Sequence, residues 1–375
     1  MDREKPFKLG YRPALDGLRA FAIVAVLLNH TGPLIGWEIL GGGSLGVDVF
    51  FVLSGFLISA LLAEEWRKFG RIGLARFYGR RALRLAPALL VLLVVLALVA
   101  PKVLSSTETA ETFHAIPIAA VYMTDVAIGW FGDFALGVLR HTWSLGTEEK
   151  FYFVWPALLV VGLRHLNDHP DRRRHLATCP LVLAFAVTLW RAALWLSDAP
   201  IWRLYYSSDT RADGLLVGCA AGLAVSWGVI GAFSRTEMLG AVAVLLLGVV
   251  ATHFDTPIMY AGGFTVVGLA SAIVTVNVVL KPSRVSIALL ENPVAVWIGR
   301  ASYALYLWHY FVFGAVAHLR APWQARLALA ILLTFLVAAA SHYLVEAPLL
   351  RLKARLAPKA SIKPTASEHA STHRH

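Results

Sequence analysis

Charge is scarce in this chain. Only 15% of its 375 residues are Asp, Glu, Lys or Arg, where a soluble domain carries about a quarter. A soluble globule with a charged surface is excluded, and 58% hydrophobic content with a mean hydropathy of +0.65 points to a polytopic membrane protein. Cysteine is nearly absent. Cys179 and Cys219 lie in or beside apolar runs, so no disulfide and no metal site is expected. Acids are outnumbered, 23 against 34 Lys and Arg. The net charge of +11 could suit nucleic acid, but the basic residues cluster between hydrophobic runs, as membrane orientation requires, so no nucleic-acid partner is expected. No cleavable signal is read in the polar opening MDREKPFKLG, and no convincing internal repeat is found.

What is present is a series of apolar runs. They predict an all-α transmembrane bundle of about ten spans: 15–34, 46–64, 84–101, 147–166, 178–197, 210–228, 236–252, 258–280, 295–318 and 326–346. The apolar segment 113–131 is interrupted by Pro117, Asp125 and Gly129 and is expected to be re-entrant or interfacial. With the N-terminus inside, 25 Lys and Arg fall in inner segments and 5 in outer ones, which places both termini in the cytoplasm. An eleventh crossing at 113–131 would invert every later loop. Residues 353–375 are basic, then polar, and are expected to be a disordered cytoplasmic tail.

The first span carries Arg19 near its start and His30 near its end. Eleven residues at about 100° each is roughly three turns plus 20°, so both side chains point the same way, about 16 Å apart along the axis. Ionisable groups on one face of a membrane helix usually line a bundle interior or a water-filled path. The alternative is that both snorkel to the two headgroup layers.

Further constellations follow. Asp48, entering the second span at a depth close to His30, is placed to orient the imidazole, or to start the helix beside a Gly turn. Ser54 lacks the first glycine of a nucleophile elbow and reads as a packing serine. Arg80, Arg81 and Arg84 precede the third span, with Arg80 and Arg84 on one face. They suit phosphate recognition, or topology and lipid headgroups. Glu148 and Glu149 enter the fourth span, where Lys150 can pair with Glu149, and Glu148 meets Tyr152 at i+4. Asp209, Arg211 and Asp213 begin the sixth span, either as a clamp for a polar substrate or as a self-satisfied cluster fixing the bundle. Tyr303, Tyr306 and His309 recur at three-residue spacing and suggest a wet cavity, against an interfacial aromatic belt. His141 is not followed four residues later by the acid that soluble glycerolipid acyltransferases carry, and no zinc spacing appears.

In order along the chain, Arg19-x10-His30, GVDVFFVLSGFLIS, FYGRRALRLAP, TWSLGTEEKFYFVWP, TRADGLLVG and RASYALYLWH resemble the successive motifs of the integral-membrane acyltransferase-3 family of bacterial surface-carbohydrate O-acyltransferases. The resemblance runs from about Tyr11 to Leu352, making 1–352 the transmembrane domain. Departures are Gly146 and Thr147, Lys150 where Gln is usual, and Glu346-Ala-Pro348 where acid-Arg-Pro is common. The esterase-like domain fused to some members is expected to be absent.

The resemblance implies transfer of a short acyl group, acetyl above all, from cytoplasmic acyl-CoA to a hydroxyl of a carbohydrate or glycosylated acceptor at the inner membrane. Acyl-CoA would be a co-substrate, with no permanently bound cofactor. His30 would be the general base and Arg19 a cation in the same site, with Glu148 or Asp48 holding the imidazole or the acceptor. Arg80, Arg81 and Arg84 would meet the donor phosphates. Ser144, Tyr152, Arg211, Asp213, Tyr303, Tyr306 and His309 would line the acceptor site or cavity. Competing readings are acylation of a small glycosylated metabolite such as a macrolide, a proton-coupled transporter or flippase, and a lipid-phosphate-sugar glycosyltransferase. The lack of repeats weighs against the transporter, and the short first outer loop against the glycosyltransferase.

Overall fold

The computed structural model describes residues 7–166, 171–349 and 351; the tail 353–375 lies outside them. Among the described residues there is no strand, so the all-α class holds. The first half of the bundle comprises α1 (Pro13–Asn29), α2 (Gly46–Phe69), α3 (Leu74–Val103), α4 (Ser106–Ala120), α5 (Thr124–Phe131) and α6 (Trp143–His165). The second half comprises α7 (Arg172–Leu196), α8 (Asp213–Ser226), α9 (Arg235–Ala251), α10 (Phe264–Leu280), α11 (Pro293–Arg300), α12 (Ser302–Ala317) and α13 (Trp323–Ser341). A helix underlies each predicted segment. With their flanking turns, α2, α3, α7, α10 and α13 are long and apolar enough to cross a bilayer. The outward faces of α3 and α7 are apolar, with Val94, Leu98, Val182 and Phe185 all more than half exposed. That is the surface a lipid-facing helix presents.

The segment read as re-entrant is not a straight helix. α4 opens with a capping box, in which Ser105 and Glu108 satisfy each other's backbone donors. α4 and α5 are bent by 111° at the break between them, where Tyr122 adopts φ 57°. Lys150 holds the bend. Its ammonium donates to the Tyr122 carbonyl at 2.7 Å and to Asp125 at 2.6 Å. The expected pairing of Lys150 with Glu149 does not form, because the buried Asp125 needs a counter-charge and lies within reach.

α1 runs through the middle of the bundle, against α2, α10, α11 and α12. The tightest packing is between α2 and α8. Gly214, Gly218 and Gly222 recur every four residues along α8, and small residues at that spacing let membrane helices approach backbone to backbone. A Cβ at Gly218 would collide with the Val52 carbonyl, one at Gly222 with the Phe56 carbonyl, and one at Gly55 of α2 with the Leu215 carbonyl.

Buried ion pairs cross the same interface. Arg211, fully buried, donates to Asp48 at 2.8 Å and lies 3.7 Å from the Phe264 ring centroid. Arg191 of α7, also fully buried, donates to Asp213 at 2.9 Å and to the Thr210 carbonyl at 2.6 Å, and Thr265 of α10 donates to Asp213 at 2.6 Å. Four helices are pinned by these four charges. Two expectations are thereby corrected. Asp48 faces Arg211, not His30, because an unpaired guanidinium in an apolar bundle costs more than an unoriented imidazole. Arg211 and Asp213 serve the bundle and do not line a substrate cavity.

Gly218→Leu should wedge α2 from α8 and destabilise the fold by at least the roughly 1–3 kcal/mol of an overpacked core, read as a lower thermal midpoint in detergent. Asp48→Asn leaves Arg211 buried without a counter-charge and should cost about 3–5 kcal/mol. An unchanged midpoint with lost activity would instead return Asp48 to the reaction site.

Candidate active site

A cavity of about 80 Å³ opens among α1, α2, α3, α6 and α12. Its charged lining is Arg19, Arg81, Arg84 and Glu148, three guanidinium groups against one carboxylate. Each side chain arrives there for a local reason. Arg81 and Arg84 are three residues apart on α3, so they share a face. Arg80 is one residue off that face and turns to Glu65, at 3.9 Å. The expected pairing of Arg80 with Arg84 is thus replaced by Arg81 with Arg84. Arg81 lies 3.2 Å above the Tyr152 ring centroid and makes ion pairs of 3.5 Å to Glu148 and 3.2 Å to Glu149. Tyr152, expected in the cavity, backs Arg81 from beneath. Arg84 makes no ion pair or hydrogen bond among the described residues. Arg19 faces inward near Asp16, at 3.7 Å, while Phe21 two residues on faces outward.

Glu148 accepts a hydrogen bond from Ser54 at 2.9 Å. It belongs to the arginine cluster and does not reach His30. The reason is register: α6 begins at Trp143, four residues before the predicted start, which carries Glu148 about 6 Å further along the axis. Ser54 therefore has a polar role in the lining beyond packing.

The far wall of the cavity is a pair of hydroxyls. Tyr306 donates to the His141 carbonyl at 2.7 Å, and since a carbonyl only accepts, the 2.6 Å contact between Tyr306 and Ser144 has Ser144 as donor. Tyr303, one turn nearer the arginines, donates to the Leu85 carbonyl at 2.8 Å. Behind Tyr306 stand three imidazoles. The ring of Tyr306 is 5.3 Å from His141 and 5.6 Å from His309. His309 is 5.1 Å from His30, and its Nε2 is 3.3 Å from His30 Nδ1. Tyr310 packs edge-on to His30 at 5.2 Å and is stacked on His141 at 5.1 Å. His309 and His141 are buried, and His30 is partly exposed.

The cavity therefore has the arginines on one side and Ser144 and Tyr306 on the other, with the histidines behind Tyr306. Arg19 and His30, placed on one face by spacing, mark the two ends of this arrangement on α1. Sequence reasoning missed His141 and Tyr310. A signal existed for His141: an imidazole just ahead of an apolar run beginning Thr-Trp-Ser is costly to bury without a use. Nothing in the sequence placed Tyr310 between two histidines. Among the described residues no group of three or more His, Cys, Asp or Glu is arranged to hold a metal ion.

Comparison with known proteins adds an independent observation. The family model described as an acyltransferase domain, acyltransferase-3, matches residues 12–345. The chain is 31% identical over 368 residues to the peptidoglycan O-acetyltransferase OatA of Listeria monocytogenes, covering 93% of this chain and 57% of that protein. It is 32% identical over 361 residues to YrhL of Bacillus subtilis, provisionally named a peptidoglycan O-acetyltransferase, covering 90% of this chain and 55% of that one. The chain thus spans about half the length of the curated relatives it matches. No solved structure matches it.

Proposed function

The chain belongs to the acyltransferase-3 family, and from that premise we propose that it is a membrane O-acetyltransferase, moving an acetyl group from acyl-CoA on the cytoplasmic side to a glycan hydroxyl on the other. The observation that carries the reading is one cavity lined by Arg19, Arg81 and Arg84 on one side and by Ser144 and Tyr306 on the other, with His141, His309 and His30 in ring contact behind Tyr306. The relatives' names favour a peptidoglycan hydroxyl as acceptor over a macrolide or another small glycosylated metabolite.

In this reading the donor's phosphates meet Arg84 and Arg81, whose guanidinium groups match phosphate geometry. The pantetheine arm extends past Arg19, Ser54 and Tyr303 toward the Ser144–Tyr306 pair. His30 takes the proton of the acceptor hydroxyl as its oxygen attacks the thioester carbonyl. The new C–O bond forms and the C–S bond breaks. The proton held by His30 passes to the departing thiolate, which leaves as the thiol of CoA. The Ser144 hydroxyl, which donates to Tyr306 in the resting structure, turns to donate to the carbonyl oxygen where negative charge develops. Glu148 acts on the donor side, where it holds Arg81 and Ser54 in place.

His30→Ala should abolish transfer of labelled acetyl from acetyl-CoA to peptidoglycan fragments, assayed by mass spectrometry of the product in lipid nanodiscs, while leaving the thermal midpoint unchanged. Retained turnover removes the base assignment. Arg84→Ala should weaken acetyl-CoA binding by about tenfold or more, as loss of a charge-assisted hydrogen bond does, and Arg80→Ala should weaken it much less. Equal effects of the two substitutions would mean that general positive charge, and not the cavity, holds the donor.

A further inference from the structure

The geometry points to His309 as the residue that, beside the Val26 carbonyl, accepts from His30 Nδ1, leaves Nε2 as the base and meets the charge formed on the ring. This deepens the proposed transferase reading and rests on it. The argument uses only which atoms can donate. His309 Nδ1 lies 2.7 Å from the Tyr306 carbonyl and 3.2 Å from the Leu305 carbonyl. Both partners only accept, so Nδ1 carries the proton of the neutral ring and Nε2 is left as a lone pair. That lone pair faces His30 Nδ1 at 3.3 Å. His30 Nδ1 also lies 2.9 Å from the Val26 carbonyl, again an acceptor only. The hydrogen on His30 is therefore on Nδ1, shared between a carbonyl of its own helix and the imidazole of α12. Its Nε2 is the free lone pair, on the partly exposed ring of the cluster.

Two consequences follow for the reaction. Before transfer, His30 Nε2 is the atom that accepts the hydroxyl proton. After it has done so, His30 is an imidazolium whose Nδ1–H points at a lone pair on His309, so the charge formed in the step is met by an acceptor already in place. The acid that orients many catalytic histidines is replaced here by a second neutral imidazole, itself held by backbone carbonyls one turn away. Its register is set by the start of α12 at Ser302. The other side of His30 is closed by Tyr310 from the same helix, and His141 from the turn Gly137–Thr142 stacks behind Tyr310. No carboxylate forms an ion pair or hydrogen bond with His30 among the described residues. His309 is thus a positioning residue, and Tyr310 a wall.

The test reads the tautomer directly, on the full chain in nanodiscs with 15N-labelled histidine and the His30 signals assigned by their loss in His30→Gln. The wild type should show a protonated Nδ1 and an unprotonated Nε2 at His30. His309→Phe keeps a ring but removes the imidazole acceptor and leaves the Val26 carbonyl at 2.9 Å, so His30 should keep its Nδ1–H tautomer at rest while the imidazolium formed in the step loses its partner. With acetyl-CoA and peptidoglycan fragments it should lower kcat by about 10²- to 10⁴-fold, the worth of a general base, with acetyl-CoA affinity changed less than about twofold. His309→Gln, whose amide oxygen can accept from Nδ1–H, should recover part of kcat. A wild-type His30 protonated at Nε2 overturns the inference, and this measurement needs no variant to fold. So does a His309→Phe protein with full turnover. If the wild type transfers no acetyl to peptidoglycan fragments, the transferase reading itself has failed, and if His30→Ala retains transfer, the base assignment has. If His30→Ala is inactive and His309→Phe is fully active, only the role of His309 has.

Discussion

The ion pair between Asp48 and Arg211 ties the start of α2 to the turn leading into α8, in a place where no water is available to do the same work. In an apolar bundle a guanidinium is tolerable only if an acid answers it, and an acid only if a cation does. That requirement propagates. Asp213 is taken by Arg191, which fixes α7, and Thr265 brings in α10. The glycines of α8 make the arrangement possible by letting the α2 and α8 backbones touch, so that short acidic side chains reach their partners. The result is a half of the bundle in which the buried charges Asp48, Arg191, Arg211 and Asp213 are spent on architecture. The other half, built on α1, α3, α6 and α12, is where charge remains available.

That division explains why some of the site was legible in the sequence. Arg19 and His30 were readable because both sit on one helix, and helical spacing alone puts them on one face. Tyr303, Tyr306 and His309 were readable for the same reason. Asp48 and Glu148 were misplaced because their roles depend on a partner from another helix, or on where a helix starts. Nothing in GVDVFF says that Arg211 lies opposite. Four residues of extra helix before Glu148 were enough to move it from the imidazole to the arginines. Choosing between Arg80 and Arg81 as the partner of Arg84 likewise required knowing which face of α3 turns inward.

The fold was legible to a similar depth. Hydropathy found the helices, and the proline, acid and glycine inside 113–131 marked a segment that is not one straight helix. What the sequence left open was how the bend is held. Lys150, noticed as a departure from its family and expected to meet its neighbour in sequence, is the clasp: it crosses to the Tyr122 carbonyl at the break and to Asp125 just beyond it. Ser208 also donates to Asp125, so the bend is anchored to the residues preceding Arg211. The bent pair α4–α5 and the ion-paired half of the bundle are thereby joined through Asp125.

Arg84 stands apart from all of this. Among the described residues it is the guanidinium in the lining of the cavity that makes no ion pair or hydrogen bond. A cation left open in this way is seldom vacant in a cell, where chloride, inorganic phosphate and free nucleotides are all within reach. Any larger anion that settles there does so by exchange, and its occupancy depends on the composition of the surrounding electrolyte as much as on its own fit.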